Sequence, residues 1–284
     1  YTEGGLSFYL AAALFAILLA ADRLRDRGGF AASYLLAGLL AGSAMACKYP
    51  GALSVVIPLG IAAALTPLLI GPASHSRART ALMSALTFSA GVLIAIGPWL
   101  AKNATETGNP VYPLLYSVFD GKDWSPELNA QWKQAHSPRD HDVSRLPFWL
   151  TDISARNDWL SPLLYGFAPL ALLAAGRRRL TTLRWLYVGW LFVTWWAFTH
   201  RLDRFWVPML PVVALLGGVG AAALNDLAGK WVAALCFVSA SVFNLGMILS
   251  GFSGYNHFLA DLDAARVWTA RLTSPEILYL NQKL

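Results

Sequence analysis

Ala81 to Ala101 reads ALMSALTFSAGVLIAIGPWLA, twenty-one residues without a Lys, Arg, Asp or Glu. A helix of that length is about 30 Å long, which is the thickness of the hydrocarbon core of a bilayer. Working outward, seven more stretches repeat the pattern: Gly5 to Ala21, Phe30 to Cys47, Gly51 to Ile70, Trp159 to Ala175, Trp185 to Thr199, Phe205 to Leu224 and Trp231 to Ser250. Each is 15 to 21 residues long and free of charged side chains. The whole chain of 284 residues is 56% hydrophobic and 13% charged, about half the charge of an ordinary soluble domain. This excludes a soluble enzyme and predicts an all-α, polytopic transmembrane helical bundle of about eight spans. Tyr49, Trp99, Trp159, Trp185 and Trp231 stand at span ends, where an amphipathic ring is best placed at headgroup level.

Basic residues set the orientation. Alternate connections hold Arg23, Arg25 and Arg27, then Arg77 and Arg79, then Arg177, Arg178, Arg179 and Arg184, then Lys230; the short loops on the other side hold Lys48, Arg201 and Arg204. The arginine-rich set is therefore cytoplasmic, and the two long segments face outward. The organisation follows: four spans in 1–101, an outward loop with an amphipathic helix in 102–158, four more spans in 159–250, and an outward tail in 251–284. Tyr1, Thr2 and Glu3 lead into the first span from outside without Met or a signal peptide, so the sequence is expected to continue upstream. The net charge of +6 is scattered over short loops and forms no stripe, which excludes nucleic acid as a partner. Cys47 and Cys236 lie inside apolar spans and read as packing residues.

Within 102–158, Gly108-Asn109-Pro110, Asp120-Gly121 and Ser137-Pro138 mark turns. Ser125-Pro126-Glu127 is a helix start, with a capping hydroxyl, Pro at the first position and an acid near the positive end of the dipole. The helix is expected to run to about His136 and to rest on the membrane through Leu128 and Trp132. In the tail, Asp263 to Leu272 and the stretch from Ser274-Pro275-Glu276 repeat that design.

No Gly-rich phosphate loop, GxSxG or HExxH is present, so a site has to come from membrane chemistry. Glu3, Lys48-Tyr49, Lys102-Asn103 and His200 to Arg204 all fall at one depth, the outer boundary. Lys48 ends one span and the next begins at Gly51, with Pro50 in the turn between. As a snorkelling anchor it would only terminate a span; with Arg201 and Arg204 at the same depth it can form an anion clamp, Asp203 orienting a guanidinium. Cations placed against the positive-inside bias require an anion, and a lipid-linked phosphate lies at that depth. Glu3 is a candidate acid or base, its alternative being a solvated terminal side chain. Asp140-His141-Asp142 has metal-capable groups on a loop that rarely converges on one ion, and no metal site is expected.

Three motifs resemble GT-C membrane glycosyltransferases. GSAMACKYPGA, Gly42 to Ala52, resembles their Gly-rich helix ending in a Thr-Lys-Tyr or Thr-Lys-Gly turn. Pro98-Trp99-Leu100-Ala101-Lys102-Asn103, with Thr107-Gly108-Asn109-Pro110-Val111-Tyr112-Pro113, is similar to their PWxxRNxxxTGNPVxP segment, with Lys102 in place of Arg. Arg204 to Pro211, RFWVPMLP, is similar to their RYLLPxLP run. The resemblance implies transfer of a sugar from a polyprenyl phosphate to a lipid, glycan or protein acceptor at the periplasmic face of a bacterial inner membrane. It further implies donor-phosphate binding by Lys48, Arg201 and Arg204, with Tyr49, Lys102, Asn103, Tyr112, His200 and Asp203 lining the substrate site. Glu3 is the candidate catalytic carboxylate in this chain, and the family's main base is expected upstream of it. The sequence requires no cofactor, a divalent cation remaining open. The competing class is a non-enzymatic lipid or solute transporter, for which Pro58 and Pro67 are the candidate helix breaks.

The topology is tested by single-cysteine labelling of spheroplasts with an impermeant reagent. A cysteine at Ser137 should label directly and one at Ser76 only after permeabilisation; the reverse would place the Lys48 boundary on the wrong side.

Overall fold

The computed structural model describes residues 2–25, 29–70, 77–138, 140–155, 163–174, 178–224 and 226–249. The described residues form helices joined by turns, with no strand among them. The helices are α1 (Thr2–Arg25), α2 (Ala31–Cys47), α3 (Ile57–Ile70), α4 (Arg77–Thr107), the single turn α5 (Tyr116–Phe119), α6 (Pro126–His136), α7 (Leu146–Ala155), α8 (Leu163–Phe167), α9 (Arg178–Phe198), α10 (Leu210–Ala222) and α11 (Leu227–Leu249). Three helical stretches are long and apolar enough to cross a membrane: Thr2–Leu24, Ala52–Ile70 and Arg77–Thr107. Ala31–Cys47, Val207–Ala222 and Leu227–Phe243 are apolar but shorter. The expected tail over 251–284 lies outside the described residues.

Two expected spans take a different local form. The stretch expected from Trp159 to Ala175 is described from Leu163, where α8 runs into 3-10 turns over Ala168–Leu173. The span expected from Phe205 begins with 3-10 turns at Asp203–Phe205 and Val207–Met209 and becomes regular at Leu210. Pro208 and Pro211 supply no amide hydrogen, so a uniform i to i+4 ladder cannot run through this entry. In the other direction, α4 continues past its expected end at Ala101 to Thr107, carrying Pro98 inside it.

The core mixes large side chains such as Tyr34, Leu10, Ile96 and Met209 with many alanines. Ala13, Ala20, Ala37, Ala41, Ala44 and Ala63 are fully buried, while Phe8, Phe15, Leu36, Leu82, Leu86, Leu93 and Ile94 are exposed. Burying small residues and exposing large apolar ones is how helices pack when lipid is the solvent, because no hydrophobic force draws them together and close backbone approach supplies the attraction. The contact of α2 with α4 is one such close approach. A Cβ on Gly38 would lie 2.0 Å from the Phe88 carbonyl oxygen, and one on Gly91 would lie 2.4 Å from that of Leu35.

Between α2 and α3 the chain is π-helical over Ala52–Val56, and the Ile57 amide bonds to the Ala52 carbonyl. That shift diverts from Leu53 its ordinary donor, and Pro58, which has no N–H, cannot serve Ser54. Both carbonyls are capped from α9: the Tyr187 hydroxyl donates to Ser54 O at 2.7 Å and the Trp190 indole N–H donates to Leu53 O at 2.7 Å. The helix break is thus filled by a neighbouring helix, which fixes α9 against the start of α3.

Gly38→Ala and Gly91→Ala should each destabilise the bundle by about 1–3 kcal/mol or more, since backbone has to move to admit a methyl. Gly189→Ala, with nothing within 4 Å of its added Cβ, should not. Thermal unfolding in detergent measures both; equal melting of Gly38→Ala and Gly189→Ala would refute the close packing.

Candidate functional site

α2 stops at Cys47 and Lys48 is extended, with φ −164° and ψ 132°. The following Lys48-Tyr49-Pro50-Gly51 turn is closed by Gly51 N–H to Lys48 O at 2.8 Å and Ala52 N–H to Tyr49 O at 2.8 Å. Only glycine fits at 51, where a Cβ would lie 2.6 Å from the Ala44 carbonyl oxygen. Lys48 is therefore held at the mouth of α2. Its Nζ donates to Glu3 Oε1 at 2.7 Å and sits 3.6 Å from the centre of the Phe205 ring. Glu3 is in the first turn of α1 and only 6% exposed, so Lys48 and the positive end of the helix both stabilise its charge. Glu3 is buried and paired, where the alternative reading made it a solvated terminal side chain.

Arg204 approaches the same ring, its guanidinium carbon 5.3 Å from the Phe205 centre. Its side chain is exposed, and no described hydrogen bond or ion pair uses it. His200 packs edge-on to Phe205 at 4.9 Å and to His136 at 5.6 Å, and His136 stacks on Trp132 at 4.6 Å. A row of rings thus runs from α6 across His200 to the ring beneath Lys48. Burial first, then the neighbouring His136, Arg204 and Lys48, hold the His200 imidazole below its ordinary pKa, against an opposing hydrogen bond with the His136 backbone.

Arg201 does not join the expected clamp. It has left-handed backbone, φ 57°, and is 7% exposed. Its Nη1 donates to Asp140 Oδ1 at 3.2 Å, its Nη2 to the Asp140 carbonyl, and its Nε to the Trp196 carbonyl at 3.1 Å. Its guanidinium lies 4.9 Å from the Trp149 ring centre and 5.1 Å from that of Trp196. A planar fork can satisfy a carboxylate and a carbonyl while stacking between aromatic faces, so Arg201 ties the loop to α9 and leaves Lys48 and Arg204 to share Phe205. The Arg201 hydrogen bond is the main influence holding the Asp140 carboxyl below the ordinary range, against partial desolvation. Asp203 starts the 3-10 turn that delivers Arg204; the acid that orients Arg201 is Asp140.

Tyr49, Asn103 and Lys102 form a neighbouring group. The Tyr49 hydroxyl accepts from Trp99 Nε1 at 3.0 Å and from Asn103 Nδ2 at 2.9 Å. Lys102 lies 5.1 Å over the Trp99 ring and 3.7 Å from Glu106. Tyr112 packs on Trp124 at 5.7 Å. Asn109, fully buried, organises this loop. Its Nδ2 donates to Leu114 O at 2.8 Å and Asp120 O at 3.0 Å, and its Oδ1 accepts from Val111 N–H at 2.9 Å.

Phe205, Asp140 and Asn109 take roles that the sequence reading did not give them. The signal for Asn109 was present in Gly108-Asn109-Pro110, a side chain suited to binding local backbone. Phe205 and Asp140 act through long-range neighbours. Among the described residues no group of three or more His, Cys, Asp or Glu side chains could hold a metal ion. No family model, no curated protein and no solved structure matches this chain.

Because His200 binds protons less readily when folded, unfolding takes up protons below the ordinary histidine pKa of about 6.5. Stability should therefore fall as pH drops through that value. His200→Gln should flatten the decline in melting temperature between about pH 7.5 and 5.5. An unchanged slope would show that His200 is not constrained by its neighbours.

Proposed function

We propose that this chain is the membrane core of a GT-C-type glycosyltransferase that moves a sugar from a polyprenyl phosphate donor to a lipid, glycan or protein acceptor. The observation that carries this reading is the placement of Lys48. A lysine locked by a tight turn, bonded to a buried carboxylate and sharing one aromatic ring with Arg204, supplies what sugar transfer from a phosphate requires: positive charge at the leaving oxygens with a carboxylate base close by. Lys48 and Arg204 are the donor-phosphate residues. Arg201 positions the loop, and His200, Tyr49, Asn103, Lys102 and Tyr112 line the approach.

In this reading eight spans enclose the site, and the Lys48 end faces the periplasm of a bacterial inner membrane, following the positive-inside distribution of arginines. The three motifs, in family order over most of the chain, support the family assignment. A transporter would instead use a broken helix whose freed backbone groups face a pathway. Here the Leu53 and Ser54 carbonyls at the break are taken by Trp190 and Tyr187, which favours interfacial chemistry over passage.

In transfer assays of the full-length protein with a polyprenyl-phosphate sugar, Lys48→Ala and Arg204→Ala should each lower kcat/KM by about 10- to 100-fold, the worth of one charge-assisted contact of about 1.5–3 kcal/mol. Full activity in both variants would defeat the reading.

A further inference from the structure

Lys48 and Arg204 carry two positive charges and Glu3 carries one negative charge, so the trio holds one net positive charge while Lys48 is bonded to Glu3. That matches a phosphodiester, which has a single negative charge. A phosphate monoester carries about −1.5 to −2 near neutral pH and is under-matched by the same site. Lys48 is nevertheless able to change partner without moving far. The Phe205 face holds its Nζ at 3.6 Å, and an ammonium has three donors.

Resting on the reading of Lys48 and Arg204 as the phosphate site, we infer that the site alters its own charge in step with the reaction: the phosphate monoester formed by sugar transfer takes Lys48 from Glu3, and Glu3 takes up the proton that the acceptor hydroxyl loses. The bond between the anomeric carbon and the phosphate oxygen breaks, its electron pair staying on that oxygen. The acceptor oxygen bonds to the same carbon and releases its proton. The lipid phosphate goes from one negative charge to two as Glu3 goes from carboxylate to carboxylic acid, so lipid and site together stay neutral.

Burial makes Glu3 the group for this. At 6% exposure a carboxylate is costly to keep charged without a partner, and a buried one that loses its cation beside another anion binds a proton strongly. Among the described residues, the charged and titratable groups near it are the following. Lys48 comes from the end of α2 together with the Cys47 thiol, which lies against Gly5. Arg204 and His200 come from the turn between α9 and α10 and meet Lys48 through the Phe205 ring. His200 is the competing proton acceptor, and any test has to separate it from Glu3.

The test is calorimetric titration of the full chain with farnesyl phosphate, a short prenyl monoester, and with its methyl diester. Titrations use two buffers of different ionisation enthalpy at about pH 7.5, above the second ionisation of the monoester. Monoester binding should take up a large fraction of a proton and diester binding close to none. The uptake should vanish in Glu3→Gln and persist in His200→Gln. On the unmutated chain, infrared difference spectra should show the carbonyl stretch of a protonated carboxylic acid appearing with the monoester alone, a readout that stands even if Glu3→Gln does not fold. Uptake that persists in Glu3→Gln, or is lost in His200→Gln, overturns the inference, as does the lack of a carboxylic acid band. If neither probe binds, the phosphate-site reading itself falls.

Discussion

A carbonyl that faces hydrocarbon has to find its hydrogen bond within the protein, and at the π-helical start of α3 two carbonyls cannot find it within their own helix. Tyr187 and Trp190 supply the missing donors and in doing so set the height of α9 against the Lys48 turn. The end of α9 then fixes where His200, Arg204 and Phe205 emerge. Phe205 lands under Lys48 because α9 is pinned five or six residues beyond that lysine along the chain. The π-helical turn together with Pro58 thus leaves the two carbonyls through which α9 is tied beside the Lys48 turn.

Small residues provide the second constraint. Gly38, Gly42 and Gly91 bring α2 against α4 closely enough that a methyl would strike backbone. α2 leads directly into Lys48, and α4 carries Trp99 and Asn103, which both donate to the Tyr49 hydroxyl. The glycine contact in the bundle and the hydrogen bonds at its mouth fix the same pair of helices at two levels. The Lys48 ammonium consequently meets Glu3 as part of a rigid frame instead of as a free surface side chain.

The described segment between α4 and α7 is organised by polar groups. Asn109 gathers backbone donors and acceptors from 111 to 120, and Arg201 fastens Asp140 to the end of α9. The left-handed conformation of Arg201 is unfavourable for a residue with a Cβ by about 1–2 kcal/mol. Its hydrogen bonds and the flanking Trp149 and Trp196 rings offset that cost.

Much of this was readable along the chain because it is local. Charge-free runs of spanning length, the turn at Lys48 to Gly51, and the start of α6, where Ser125 Oγ accepts from Leu128 N–H at 3.2 Å, all depend on residues a few positions apart. Hydropathy sets the depth of a residue, so the sequence placed Glu3, Lys48, Arg201 and Arg204 at one level. It did not set the direction each faces around the bundle. That is decided by which small side chains let helices meet, and an apolar helix looks nearly the same on every side. The tertiary structure therefore chose the partners: Glu3 with Lys48 across 45 residues, and Asp140 with Arg201 across 61. The expected three-cation cluster became one shared ring and one separate clasp, since a charge at a crowded boundary takes the nearest group of opposite charge, and nearness there is set by packing.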